Sequence, residues 1–70
     1  MTGSEFLRKV SKLAQRKNVS CRLSPAKGKG SHGTVYFDEQ STIVKDRKKE
    51  IGIGLLRAMC KDLGIDPREL

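Results

Sequence analysis

GKGSHGTVYFDEQSTIVK, residues 28–45, is the stretch on which the fold turns. Its first six residues spell G-x-G-x-x-G, the pattern of a dinucleotide-binding turn. Such a turn follows a strand and opens a helix, whose N-terminus holds the pyrophosphate. Here the glycines lead instead into Thr34-Val35-Tyr36-Phe37, β-branched and aromatic residues that read as a strand. A Walker A loop fails as well, because Gly33 passes directly to Thr34 with no lysine between them. The stretch is a loop entering a strand. Val35 and Phe37 alternate onto one face, Tyr36 onto the other. Asp38-Glu39-Gln40 is turn-like, and Ser41 to Lys45 carries Thr42, Ile43 and Val44, which predict a further strand.

Upstream, Val19, Cys21 and Leu23 alternate with Ser20 and Arg22, a half-buried strand that Ser24-Pro25 brings to a stop. Short links between three consecutive strands predict an antiparallel meander. Before the strands, Phe6, Val10, Leu13 and Ala14 recur at i, i+4, i+7 and i+8, an amphipathic helix over about residues 3–17. Thr2 and Glu5 make the T-x-x-E of a capping box ahead of it, and Asn18 ends it. After the strands, Asp46 to Glu50 is a charged connection. Leu56, Met59, Cys60 and Leu63 then recur at i, i+3, i+4 and i+7, a second amphipathic helix. Gly54 is its expected N-cap and Gly64 its expected C-terminal glycine. Asp66-Pro67-Arg68-Glu69 reads as one last short turn. The order α-β-β-β-α predicts a single α+β domain over residues 1–70. It is a three-stranded antiparallel sheet with two helices on one face, similar to a double-stranded-RNA-binding domain.

The charge is segregated. The chain holds 15 Lys and Arg against 8 Asp and Glu, a formal net charge of +7. From Phe6 to Phe37 the charged residues are Arg8, Lys9, Lys12, Arg16, Lys17, Arg22, Lys27 and Lys29, all basic. A one-sign stretch of this kind is the footprint of a polyanion binder, of which nucleic acid is the commonest partner. Lys45, Lys48, Lys49 and Arg57 can extend the basic surface. A domain of 70 residues has no room for a deep cavity, so its ligand is expected to be a polymer or a protein surface. No apolar run approaches the ~20 residues of a membrane span. The first ten residues lack the apolar segment of a signal peptide, which predicts a cytoplasmic protein with no membrane partner. Cys21 and Cys60 are then reduced, small apolar core residues. With one His and no C-x-x-C they do not spell a zinc site, and no cofactor is expected.

His32, the only histidine, stands between Ser31 and Gly33 at the end of the all-basic stretch. An imidazole in such polar company titrates near neutral pH and can take or give a proton. Lys27 and Lys29 can hold a phosphate beside it, Ser31 can donate to that phosphate, and Gly30 and Gly33 allow close backbone approach. These are the ingredients of RNA cleavage without a metal. The plainer reading is a flexible hairpin loop kept soluble by its lysines.

Three segments together resemble the HicA toxins of bacterial HicA–HicB toxin–antitoxin systems. GSEFLRKVSKLAQRKN is similar to that family's first helix. KGSHGTVYF resembles its loop-strand signature, in which Gly-Ser-His enters the second strand. KKEIGIGLLRAMCKDLGIDPREL resembles its closing segment. The resemblance implies a small endoribonuclease (an mRNA interferase) with a fold similar to a double-stranded-RNA-binding domain. It implies that His32 is the catalytic histidine, and that a HicB-type antitoxin binds the toxin and shields it. The free toxin is expected to be a monomer. Two features depart from the pattern. Gly33 stands where many members have a second His, and the loop before Gly-Ser-His is longer. The alternatives are a non-catalytic RNA-binding module on the same fold, or a protein whose basic face serves only an acidic partner.

Overall fold

A computed structural model describes residues 1–25 and 33–70. The elements follow the expected order, α-β-β-β-α, with the expected short last turn present as a 3₁₀ turn: α1 (Gly3–Lys17), β1 (Cys21–Pro25), β2 (Gly33–Phe37), β3 (Gln40–Val44), α2 (Ile53–Leu63) and the turn Pro67–Glu69. The strands form one antiparallel sheet in the order β1-β2-β3.

The start of α1 is closed by side chain and backbone together. The Glu5 N–H donates to the Thr2 hydroxyl at 3.2 Å, and the Thr2 N–H donates to the Glu5 carboxylate at 3.1 Å, completing the capping box. The connection between β3 and α2 supplies the rest. The Ser4 N–H donates to the Arg47 carbonyl at 2.9 Å and the Gly3 N–H to the Lys49 carbonyl at 3.3 Å. Donors that a helix leaves unpaired at its first turn are thus satisfied by a tertiary neighbour. At the other end Asn18 adopts the left-handed conformation at φ 58° and donates to the carbonyls of Ala14 and Gln15.

Boundaries shift where tertiary contacts outweigh local pattern. Val19 belongs to the helix exit, not to β1: its N–H donates to the Ala14 carbonyl at 3.0 Å. Pro25 lies inside β1, at its last position, paired with Gly33. A strand at the sheet edge tolerates this, since its outer groups need no ladder partner. The β2–β3 link is a two-residue turn, Asp38-Glu39, with Asp38 at φ 57°, so β3 begins at Gln40 opposite Phe37. The N-cap of α2 is Gly52 instead of Gly54, and it caps without a side chain.

Register sorts the strand residues onto two faces. Val35 lies between Leu23 and Thr42, Phe37 between Cys21 and Gln40, and Gly33 opposite Val44. This face carries the core: Val35, Phe37 and Val44 pack with Phe6, Val10, Leu13 and Ala14 of α1 and with Met59, Cys60 and Leu63 of α2. Both helices therefore cover the same side, α1 over β1 and β2, α2 over β3. Leu23, expected to point inward, is on this face but 36% exposed. Among the described residues Thr42 is the one buried polar side chain; its hydroxyl donates to the Asp62 carboxylate of α2 at 3.0 Å. Cys60 is fully buried and Cys21 half-buried, both as free thiols that burial pushes up in pKa. The 3₁₀ turn docks on the end of α1: Lys17 pairs with Glu69 at 3.1 Å and Arg16 donates to the Glu69 carbonyl at 3.1 Å.

Candidate nucleic-acid interface

The loop residues singled out in the sequence, Lys27, Lys29, Gly30, Ser31 and His32, lie outside the described residues. Gly33 lies within them. It is buried, opens β2, and faces the helices. A Cβ there would meet Leu23 Cδ1 at 3.1 Å and the Ser24 carbonyl oxygen at 3.4 Å. The missing side chain thus serves packing against β1, and any approach of a ligand to Gly33 is through its backbone.

Where Gly33 sits defines one end of the sheet. Pro25, Gly33 and Val44 are in register there, and Lys45 follows, exposed. Both helices start at this end. A Cβ on Gly3 would touch the backbone at Asp46 and Arg47 and the side chain of Val44, and the Ile51 N–H donates to the Met1 carbonyl just before α2 begins. The positive end of each helix dipole is therefore on the side where the Gly-Ser-His segment joins β2. In α1 that end is offset by Glu5; the first turn of α2 has no acidic residue. Lys48 and Lys49, both exposed, lie in the adjoining connection.

Two further surfaces carry positive charge. On α1, Arg8, Lys9, Lys12 and Arg16 are all exposed, spaced so as to share one side of the helix. Lys9, Lys12 and Arg16 line an open groove closed off by Glu69 and Leu70. The second is the sheet face away from the helices. Its strand residues are Arg22, Ser24, Thr34, Tyr36, Ser41 and Ile43, with no acid among them. The Arg22 guanidinium carbon lies 4.9 Å from the centroid of the Tyr36 ring, within cation–π range.

Acids also stand at this end of the sheet: Asp46 accepts from the Lys48 N–H at 2.9 Å, and Glu50 pairs with the Met1 amino group. Glu5 is engaged by Thr2, and its hydrogen bond to the Thr2 N–H lowers its pKa. Glu69 is lowered first by Lys17, and Asp66 by its hydrogen bonds to Arg68. Asp38 and Glu39 sit at the hairpin turn, the opposite end of the sheet from Gly33. Among the described residues no three His, Cys, Asp or Glu side chains cluster. No helix among them is long and apolar enough to cross a membrane.

Sequence reasoning left the Arg22–Tyr36 contact unseen. Alternation places each residue on a face, but only the pairing of β1 with β2 sets them opposite each other. Comparison with family models, with curated proteins and with solved structures finds no match to this chain.

Proposed function

We propose that this chain is a small toxin endoribonuclease of the HicA kind. It cleaves mRNA by metal-independent acid–base catalysis at His32 and is held inactive in the cytoplasm by a HicB-type antitoxin. The observation that carries the reading is the Gly-Ser-His segment running directly into β2 of an α-β-β-β-α chain with both helices on one face. The charge pattern supports it: exposed arginines and lysines on α1, on the open sheet face and beside Gly33 suit a phosphate backbone.

In this reading His32 takes the proton from a ribose 2′-hydroxyl. The 2′-oxygen attacks the adjacent phosphorus, and the bond from phosphorus to the 5′-oxygen breaks. That oxygen receives a proton from the imidazolium or from water, leaving a 2′,3′-cyclic phosphate and a 5′-hydroxyl end. Lys27 and Lys29 stabilise charge on the phosphate oxygens, Ser31 donates to them, and Gly30 and Gly33 let the backbone come close. The free toxin is a monomer, and the antitoxin covers the same surface that RNA uses.

The test is cleavage of a labelled mRNA in the presence of chelator, by the wild type and by His32→Ala with its fold verified by circular dichroism. Cleavage by the wild type alone is expected. Binding without cleavage by either protein would make the chain an RNA-binding module, a reading that Gly33 favours by standing where many HicA toxins carry a second His. Equal cleavage by both would remove His32 from the site.

A further inference from the structure

The sheet face turned away from the helices has no assigned role. Its central residue is Tyr36, in the middle of the middle strand, with Arg22 on one side and Ser41 on the other. The next row is Ser24, Thr34 and Ile43, and Ile43 is 58% exposed. Tyr36 and Ile43 are diagonal neighbours on β2 and β3, close enough for a large ring to reach across. The face thus presents an aromatic ring and an aliphatic side chain, rimmed by hydroxyls and an arginine, with Lys45 continuing the β3 alternation. No described element covers it.

We infer that this face is a stacking platform for single-stranded RNA, on which Tyr36 stacks a base and Arg22 holds an adjoining phosphate. The inference rests on the ribonuclease reading and adds to it the conformation of the substrate and the surface that takes it. The chemistry argues for this occupant over others. The strand residues of this face include an arginine and no acid, which suits an anion, and the acids Asp38 and Glu39 stand at the turn, at the far end from Lys45. An aromatic ring on a flat sheet offers a π-face to any base that is not already stacked, which excludes the interior of a duplex. The Arg22 guanidinium carbon lies 4.9 Å from the ring centroid, so a stacking base displaces it from the ring toward the phosphate beside that base. The sheet spans about 10 Å from β1 to β3, room for one base and the phosphates beside it. Tyr36 also lies about 10 Å along β2 from Gly33, where the Gly-Ser-His segment joins the strand.

Tyr36 is the only tyrosine, and the chain has no tryptophan. Its intrinsic emission therefore reports on this face alone, in unaltered protein. The experiment titrates a single-stranded oligoribonucleotide of about 12 nucleotides into His32→Ala, which leaves the RNA intact, and follows tyrosine emission together with anisotropy of the labelled RNA. Emission should be quenched along the same isotherm as binding, and far less by the same strand annealed to its complement. Tyr36→Ala should weaken binding about tenfold and Tyr36→Phe by less than about twofold. Arg22→Ala should lower the slope of log affinity against log salt by about one. RNA that is bound and cut by the wild type while Tyr36 emission stays unchanged overturns the platform and leaves the nuclease reading standing. Quenching with no cleavage by the wild type does the reverse. Equal quenching by the duplex overturns the single-stranded commitment.

Discussion

Two glycines, each in the first turn of a helix, show how much one atom can decide. A Cβ on Gly3 would lie 2.7 Å from the Asp46 carbonyl oxygen and 2.8 Å from the Arg47 Cα, both backbone atoms that cannot swing aside. A Cβ on Gly54 would meet nothing within 4 Å. Helix propensity favours alanine at both positions by up to about 1 kcal/mol. At Gly3 overpacking outweighs it, so Gly3→Ala should destabilise by about 1–3 kcal/mol. Gly54→Ala should stabilise by about 0.5–1 kcal/mol. Urea unfolding of the two variants decides the matter, and a stabilised Gly3→Ala would sink the close approach of the connection to α1. Neither sign is legible in the sequence, where both residues are simply glycines near a helix start. Residue-level chemistry was legible where it is local: the Thr2–Glu5 capping box needs only residues three apart, and both of its hydrogen bonds are present.

At the scale of elements, the ends of α1 and of the 3₁₀ turn are held by carboxylates. Glu5 is lowered from its ordinary 4.5 by the Thr2 N–H, Asp66 from 3.8 by Arg68, and Glu69 from 4.5 by Lys17. A carboxylate with a depressed folded pKa adds stability above its unfolded value. That stability is lost as pH falls through the folded value. The thermal midpoint should therefore decline as pH is taken from about 5.5 to 3, with the loss starting near the ordinary carboxylate values. In Glu5→Gln the decline should be shallower, because a glutamine keeps the reach of the cap but does not titrate. An unchanged pH profile in that variant would show that Glu5 is no part of the acid response. Element type was readable throughout, since apolar periodicity reports which face is buried. The edges were not. Val19 is drawn off β1 by a hydrogen bond to Ala14, and α2 starts at Ile53, where Ile51, Ile53 and Leu55 alternate with glycines and so do not mark a helical period.

For the whole molecule, one core joins both helices to the sheet, and Phe6 is fully buried within it. A domain of 70 residues is stabilised by roughly 4–10 kcal/mol in total. Phe6→Ala should remove about 3–5 kcal/mol, a large part of that sum. Circular dichroism during urea titration should show a midpoint shifted far down, or a chain unfolded before denaturant is added. A small shift would mean that the core tolerates the cavity. The same scale governs charge. The basic residues of the first half lie on α1, β1 and the segment before β2, and folding brings α1 to one side of the sheet while Arg22 points to the other. A single basic run in the chain becomes two basic surfaces.

The sequence by itself determined the class and order of the elements, the caps of α1, and the entry of Val35 and Phe37 into the core. Each of these follows from spacing along the chain: a period near 3.6 or of 2, or a side chain reaching three residues. The loop chemistry at Gly-Ser-His was likewise visible as residue types in order, and it stands as a proposal. Only the tertiary structure decided that Gly3 must lack a side chain, that Thr42 answers Asp62, and that Arg22 lies over Tyr36 on an open face. Those facts depend on strand register and on a connection folding back over a helix start. They join residues far apart in the chain, and no local pattern encodes the distance between them.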